Sequence, residues 1–438
     1  ITTRLVGSEM CIRDRYEHRA REIENSCLLA CELRRRGYKV QICNIYSEEK
    51  YFVAPKVLIV PHLYNDSQLF QFAKNYKGKY GQIINLQYEQ ILSICEEDGM
   101  HNPVGQAINA YHVAWGDAQK QRYLRHNIEE NNIIVAGNIA MDLMSSKMIL
   151  YHKSKKQISK EYNLDETKEW VLFMSSFSYA NLDEQTILRY ETMYPPTRSF
   201  EKISTPSYKI MIDWLSMACE KYPEKIFIYR KHPAENYTSE ILNIEKMYSN
   251  FKCIDNYSVR QWVKICEKLY TWYSTSIVDV YYANKMCYIL RPIEIPNELE
   301  VDIMDGATFL TSYGDFSFSL VSDDFKFPIS DNKIRFYYGN NETLAYEKIA
   351  DLCELLMAKK LKEYEYIIPK DSVLTLIKRI IDALSFKICK RWNLTIPKSL
   401  SGLPLVNRFH RYTEEAYGIN QEIQSYMRRF EPILNKKE

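Results

Sequence analysis

The chain has 438 residues, of which 46% are apolar and 26% charged, a composition typical of folded globular proteins that excludes disordered and collagen-like classes. Single cores rarely grow beyond about 300 residues, so we expect two domains. The 58 Lys and Arg residues nearly balance the 56 Asp and Glu residues, so the chain has no overall positive charge that would attract nucleic acid. No apolar run approaches the ~20 residues of a membrane span. The 11 scattered cysteines favour reduced thiols and a cytoplasmic location, and a position at the membrane surface stays open.

The first residues differ in character from the rest. The string LVGSEMCIRDR within residues 1–15 resembles the translation of a sequencing adapter, so we exclude this segment from the fold prediction. On this interpretation the authentic chain begins near Tyr16 and lacks the first strand of its first sheet. An ordinary N-terminal arm is the alternative.

An alternation of helices and short apolar strands begins at residue 16. Glu17 to Arg36 has helical periodicity, and Gly37 is placed to end that helix. Apolar strand segments then start at Lys39, Lys56, Gln82, His112 and Ile133. Strands separated by helices predict a parallel sheet, here a Rossmann-like domain over residues 16–150, followed by a polar, lysine-rich linker over residues 151–167.

The same alternation restarts after the linker. Strand segments at EWVLFM, KIFIYR, KCI, KLYTWY and MCYIL predict a second Rossmann-like domain over residues 168–390. Residues 292–341 appear irregular by pattern, and helical periodicity returns near Thr343 and Leu374. The fold class predicted is therefore α/β, with two doubly wound sheets facing a crevice and a helical segment over residues 391–438 that crosses back to the first domain.

The string IFIYRKHPAE places polar groups directly after a strand. Ligands of parallel α/β sheets bind beyond the carboxyl ends of the strands, so Arg230, His232, Pro233 and Glu235 are candidate donor-binding residues. A guanidinium and an imidazole suit a phosphate or diphosphate, and His232 can also donate a proton to a leaving phosphate. A surface loop with incidental basic residues is the alternative.

The string LYTWYSTSIVDV carries a second candidate group. Ser274, Thr275 and Ser276 precede a helical pattern that includes Asp279, and hydroxyl groups before a helix start favour an anion. Simple helix capping explains the same residues. The spacing from His232 to Ser274 matches about one strand, helix and strand, which predicts that both loops lie at the same edge of one sheet.

Two further groups complete the predicted site. Ser176 and Ser178 follow the first strand of the second domain, where small polar groups can approach a diphosphate. A capping turn explains these two residues equally well. The loop lacks a GxGxxG motif, which argues against a hydride-transfer cofactor.

In the first domain, Glu17 and His18 are candidate bases that would take the proton of an acceptor hydroxyl. The alternative is that they form an acidic first turn of a helix. Glu89 and the acidic turn at Glu97 are rivals, and no histidine spacing predicts a metal.

The HP string with its later Ser/Thr triplet resembles the donor-binding signature of bacterial sialyltransferase-like, capsule Kdo-transferase-like and CDP-glycerol glycerophosphotransferase-like enzymes of the glycosyltransferase-B (GT-B) fold. The ordered strings YEHRARE, INLQYEQ, HVAWGDAQ, VAGNIAMDLM, VLFMSSFSYAN, RKHPAE and STSIVDV resemble bacterial surface carbohydrate (capsular polysaccharide) biosynthesis proteins.

This resemblance implies a nucleotide-sugar donor, cytidine-type among the candidates, that is bound mainly by the second domain, and a glycan or lipid-linked acceptor at the first domain. Together with the histidine spacing, it predicts no metal or other cofactor. CDP-glycerol phosphotransfer, a non-catalytic assembly factor and a nucleotide-sugar epimerase are the alternatives.

Overall fold

The computed structural model describes residues 12–45, 55–73, 81–192, 194–339, 343–392, 394 and 418–436. These residues form two compact units. The first unit takes its residues from Ile1–Gln90, Asp98–Asp142 and Phe336–Glu438, and the second from Ile91–Glu97 and Leu143–Arg335. Each unit contains one parallel six-stranded sheet, so the prediction of two α/β units is confirmed.

The first unit has strands in the order β2-β1-β3-β4-β5-β6, all parallel. The apolar segments predicted as strands form β2 to β6, because each is short, buried and followed by a polar turn. In chain order the elements are β1 (Ile12–Tyr16), α1 (Arg19–Arg35), β2 (Val40–Asn44), β3 (Val57–Val60), α2 (Asp66–Ala73), β4 (Gln82–Asn85), β5 (Tyr111–Ala114), α3 (Asp117–Arg125), β6 (Ile133–Val135) and α4 (Ile139–Asp142).

Strand β1 lies where the sequence analysis expects a missing strand. It pairs with β2 on one side and β3 on the other, so the expectation of an incomplete first sheet is corrected. Buried strands of parallel sheets are normally apolar, yet Arg13, Asp14 and Arg15 are each at most 2% exposed. Burial raises the pKa of Asp14 to about 7. This charge in a sheet interior is what a foreign segment in an apolar position would give, and the origin of residues 1–15 stays a prediction.

The second unit has the strand order β12-β11-β10-β7-β8-β9, again parallel. Its five predicted strands are confirmed as β7 to β11. The elements are α5 (Lys155–Tyr162), β7 (Glu169–Met174), α6 (Glu184–Glu191), α7 (Thr197–Lys221), β8 (Lys225–Arg230), α8 (Ser239–Met247), β9 (Phe251–Cys253), α9 (Val259–Ile265), β10 (Lys268–Thr271), α10 (Ile277–Tyr282), β11 (Met286–Leu290), β12 (Phe309–Leu310), α11 (Tyr313–Ser319) and α12 (Asp331–Tyr338).

The chain returns to the first unit at Phe336, earlier than the predicted boundary at residue 390. The carboxylate of Asp142 accepts hydrogen bonds from the backbone N–H groups of Ala345 and Tyr346 and so holds the start of the next helix. The returning elements are α13 (Ala345–Met357), α14 (Val373–Trp392) and α15 (Ile419–Leu434). Helix α15 packs on α1, which confirms the predicted crossing back. Residues 393, 395–417 and 437–438 of the predicted segment lie outside the described residues.

The segment predicted as a linker also differs from expectation. Residues 151–167 belong to the second unit and contain α5, whose first turn is capped by Ser154. The side-chain oxygen of Ser154 accepts from the N–H of Gln157, and Gln157 in turn bonds back to the N–H of Ser154. The polar composition of this stretch therefore reflects an exposed, capped helix.

Candidate functional sites at the two sheet edges

The second sheet reverses its direction of strand addition between β7 and β10. From β7 the chain proceeds to β8 and β9 on one side, and from β10 to β11 and β12 on the other. Ligands of doubly wound sheets bind at this reversal, beyond the carboxyl ends of the strands. The loops after β7 and β10, which carry Ser176 and Ser274, therefore lie where a ligand is expected.

The loop after β7 connects the two groups that the sequence analysis singled out. The backbone N–H of Ser175 donates to the carbonyl of Arg230 at 2.9 Å, which ties this loop to the end of β8. The hydroxyl oxygen of Ser176 accepts a hydrogen bond from the backbone N–H of Tyr273 at 3.0 Å, which ties it to the loop after β10. Three predicted loops thus form one hydrogen-bonded group.

The predicted spacing between His232 and Ser274 is wrong. Strand β9 with its flanking helices intervenes, and β8 and β10 lie on opposite sides of β7. With neighbouring strands about 4.8 Å apart, the ends of β8 and β10 are separated by about 10 Å. The two loops share an edge, as expected, but the β7 loop lies between them.

The carboxylate of Glu235 lies beneath the His232 loop and shapes it. Glu235 is 7% exposed and accepts hydrogen bonds from the hydroxyl of Ser175 at 2.6 Å, from the hydroxyl of Tyr229 and from the backbone N–H of His232 at 3.2 Å. Burial raises the pKa of Glu235 above its usual value, and the hydrogen bonds from Ser175 and Tyr229 offset part of this rise. Glu235 is therefore placed to hold the loop, which differs from the predicted contact with the donor.

The imidazole of His232 lies on the exposed part of this loop. Its Nδ1 accepts a hydrogen bond from the backbone N–H of Ala234 at 3.2 Å. In the neutral ring that bond assigns the proton to Nε2, so the outer nitrogen is a hydrogen-bond donor. Pro233 is exposed beside it. A donor at this edge suits an anionic oxygen, as the sequence analysis expects.

The Ser274 loop combines a turn with two further hydroxyls. The hydroxyl oxygen of Ser274 accepts from the N–H of Ser276 at 3.2 Å, while the N–H of Ser274 donates to the hydroxyl of Thr271 at 3.1 Å. Ser276 occupies the N-cap position of α10 without a side-chain hydrogen bond, and the hydroxyl of Ser274 makes the capping contact instead, so the capping alternative fits Ser274. Thr275 and Ser276 are half-buried at the loop. Helix α10 has only six residues, so hydroxyl and backbone groups rather than a long helix dipole define this loop.

Two other predicted donor-binding residues have different environments. Both Nη atoms of Arg230 donate to backbone carbonyls, those of Ile254 and Tyr257, in the loop after β9, on the side of β8 away from β7. Asp279 is buried and accepts from Nε of Arg260 at 2.8 Å. The side chains of Arg230 and Asp279 therefore make contacts with the β9 loop and with Arg260, whereas Ser178 lies half-buried on the β7 loop.

In the first unit the sheet reverses between β1 and β3, and Glu17 and His62 follow these two strands. The Glu17 carboxylate lies 3.2 Å from Nδ1 of His62 and 3.8 Å from Nε2 of His18. Burial raises the pKa of Glu17, but the hydrogen bond and charge of His62 outweigh it, so the pKa is lowered overall. In the neutral ring, a hydrogen bond from Nδ1–H of His62 to Glu17 makes Nε2 the acceptor nitrogen.

The alternative for Glu17 was an acidic residue that stabilises the start of a helix, and in the structure Glu22 is the carboxylate in that position. The buried Glu22 accepts from the backbone N–H groups of Glu17 at 2.7 Å and His18 at 3.3 Å. Arg21 forms ion pairs with both Glu22 and Glu89, so the alternative base Glu89 is held in an ion pair. Glu97 and Asp98 lie in a turn, and Asp98 is 3.5 Å from His126. Glu17 is therefore the predicted carboxylate that the structure pairs with His62.

His62 was missed by the sequence analysis. The string VLIVPH places it two residues after a buried strand, which is the same signal that identified His232. Its side chain is 14% exposed and stacks on Tyr64 with ring centroids 5.1 Å apart. A search of the sequence for every histidine that closely follows an apolar strand would have identified His62.

Comparison with known proteins shows the fold. No protein-family model matches the chain, and a search of curated proteins finds no match. Among solved structures, a putative UDP-N-acetylglucosamine 2-epimerase from Listeria monocytogenes matches with a TM-score of 0.51 and 9% identity, covering 82% of this chain and 100% of that one. The wall teichoic acid polymerase TagF, soaked with CDPG, matches with a TM-score of 0.53 and 14% identity, covering 81% and 90%. The chain therefore has the GT-B fold.

Proposed function

We propose that the protein is a glycosyltransferase of bacterial surface polysaccharide synthesis that transfers a sugar from a nucleotide-activated donor to a glycan or lipid-linked acceptor. The observation that supports this most is the pair of histidines at the two sheet edges, whose Nδ1 atoms have different hydrogen-bond partners. If both rings are neutral, these partners make Nε2 of His232 a donor and Nε2 of His62 an acceptor.

In this proposal the second unit holds the donor diphosphate. The Nε2–H of His232 donates to a phosphate oxygen, and the hydroxyls of Thr275 and Ser276 donate to others. Ser176 and Ser178 line the loop between these groups, and Glu235 keeps the His232 loop in shape from below. The same set of donors would hold CDP-glycerol, so glycerol phosphate transfer is the alternative.

The first unit supplies the base. Nε2 of His62 takes the proton of the acceptor hydroxyl while the hydroxyl oxygen forms a bond to the donor carbon. The bond from that carbon to the phosphate oxygen breaks, and the nucleotide leaves with the electron pair, stabilised by the Nε2–H of His232. Glu17 stabilises the imidazolium that forms. Among the described residues no group of three or more His, Cys, Asp or Glu is arranged to hold a metal ion, and a metal-independent reaction stays part of the proposal.

Turnover with a donor panel tests this function. The protein would be offered CDP-glycerol, CMP-sugars and UDP-sugars with glycan and lipid-linked acceptors, and released nucleotide and product would be measured. We expect acceptor-dependent nucleotide release with a sugar donor, lost in His232→Ala. Release with CDP-glycerol alone would favour glycerol phosphate transfer. Epimerised UDP-sugar without acceptor, or nucleotide binding without any turnover, would contradict the proposal.

A further inference from the structure

Helix α14 carries a continuous exposed apolar stripe. Seven large apolar side chains on it are each at least 45% exposed: Val373, Leu374, Ile377, Ile381, Leu384, Ile388 and Trp392. At 100° per residue they fall within an arc of about 100° along a helix about 30 Å long. Folded proteins rarely leave a stripe of this length in water, so it indicates a binding surface.

The charges around this stripe are of one sign. Helix α14 contains five Lys or Arg residues and one acidic residue, Asp382, which is buried. Lys378 lies about 40° beyond one border of the stripe and Lys387 about 40° beyond the other, while Arg391 lies on the border. All three are exposed. The exposed face of α14 is therefore apolar in the middle and cationic at both margins.

We propose that this face of α14 binds the surface of an anionic phospholipid bilayer, with the helix lying in the membrane plane. An apolar stripe flanked by cations is the pattern that buries its side chains at the level of the lipid headgroups while Lys and Arg contact lipid phosphates. No helix among the described residues is both long and apolar enough to cross a bilayer, and the charges of α14 fit an in-plane position.

A second copy of the chain is a poorer occupant for this surface. The stripe positions 374, 377, 381, 384 and 388 follow the three-and-four spacing of a coiled coil, so self-association has to be considered. In such a pair the exposed face of α14 would offer no carboxylate to pair with Lys378 or Lys387, because the one acidic residue of the helix, Asp382, is buried. The positive charge at the margins of the stripe is complementary to an anionic lipid surface, which favours the bilayer.

Vesicle flotation with the full chain tests this surface without requiring catalytic activity. Phosphatidylcholine vesicles with and without phosphatidylglycerol would be compared. We expect binding to the anionic vesicles, weakened by salt, and a loss of about 10-fold or more when Ile381→Asp and Leu384→Asp are combined. Lys378→Glu with Lys387→Glu should reduce binding to anionic vesicles by a similar factor.

A matched control comes from the second unit. Ile149 and Leu150 are as exposed as the stripe residues, at 66% and 67%, so Ile149→Asp with Leu150→Asp should leave vesicle binding unchanged. Circular dichroism would verify that every variant is folded. Equal losses in the control, or no loss in the α14 variants, would overturn the proposal. So would a change from dimer to monomer in sedimentation velocity that leaves vesicle binding unaffected.

Discussion

The carboxyl edges of the two sheets each present one histidine supported by one glutamate, but the two rings are held in opposite ways. In the first unit the Glu17 carboxylate accepts from Nδ1 of His62, so in the neutral ring the remaining nitrogen is an acceptor. In the second unit a backbone N–H donates to Nδ1 of His232, so the remaining nitrogen is a donor. The difference teaches that the partner of Nδ1, rather than the presence of an imidazole, assigns the chemical role.

The two glutamates differ in the same systematic way. Glu17 gains an imidazole partner, and its pKa is lowered overall despite burial. Glu235 is buried among hydroxyl and backbone N–H groups, and its pKa is raised because these neutral donors do not offset the loss of solvent. Glu17 therefore orients the imidazole of His62, whereas Glu235 holds the backbone of the His232 loop.

Replacement of His62 should give the largest effect. His62→Ala removes the proposed base, and we expect the transfer rate to fall by about 10² to 10⁴-fold with the fold and the nucleotide affinity retained. The measurement is kcat with the active donor from the panel, together with calorimetry for nucleotide binding. His18→Ala is the matched control, because His18 is also near Glu17 but is 59% exposed and 3.8 Å away. A large loss in His18→Ala with full activity in His62→Ala would reverse the assignment.

Glu235→Gln should give an intermediate effect on the other edge. Three donors point at the Glu235 carboxylate, so an amide N–H in its place would face at least one of them and distort the His232 loop. We expect nucleotide affinity to fall about 10-fold, or about 1.4 kcal/mol, as measured by calorimetry. Glu240→Gln, an exposed change on α8, is the control. Unchanged affinity in Glu235→Gln would show that the loop does not depend on this carboxylate.

The smallest effect concerns the pH dependence of stability. As the pH rises, the contribution of Glu17 to the free energy of unfolding should increase, and that of Glu235 should decrease. The lowered pKa of Glu17 means that its stabilising contribution is present above the usual value of 4.5 and is lost as the pH falls through the folded-state pKa. The raised pKa of Glu235 means that its contribution is present below 4.5 and is lost as the pH rises through the folded-state pKa.

Chemical unfolding of Glu17→Gln and Glu235→Gln from well below pH 4.5 up to neutral pH measures this difference. The stability lost in Glu17→Gln should grow as the pH rises to 4.5 and then stay level, whereas that lost in Glu235→Gln should shrink as the pH rises above 4.5. The wild type measured over the same range is the reference. Parallel curves for the two variants would remove the contrast between the two carboxylates.

Much of the fold could be predicted from the sequence because its signals are local. Short apolar runs with helices between them identified β2 to β11, and the position after a strand identified the loops of Ser176, His232 and Ser274. The roles of Glu235 and Asp279 could not be predicted, since they depend on Ser175, Tyr229 and Arg260, which only the tertiary fold brings near. Strand β1 was also beyond prediction, because three charged residues do not have the pattern of a buried strand.

The central claim is that His232 and the hydroxyls of the Ser274 loop contact one diphosphate at the edge of the second sheet. A crystal of the protein soaked with CDP and with UDP tests it most directly. We predict that a phosphate oxygen lies within hydrogen-bond distance of Nε2 of His232 and that another contacts Thr275 or Ser276. A nucleotide bound elsewhere, or at this edge without a contact to His232, would contradict the account.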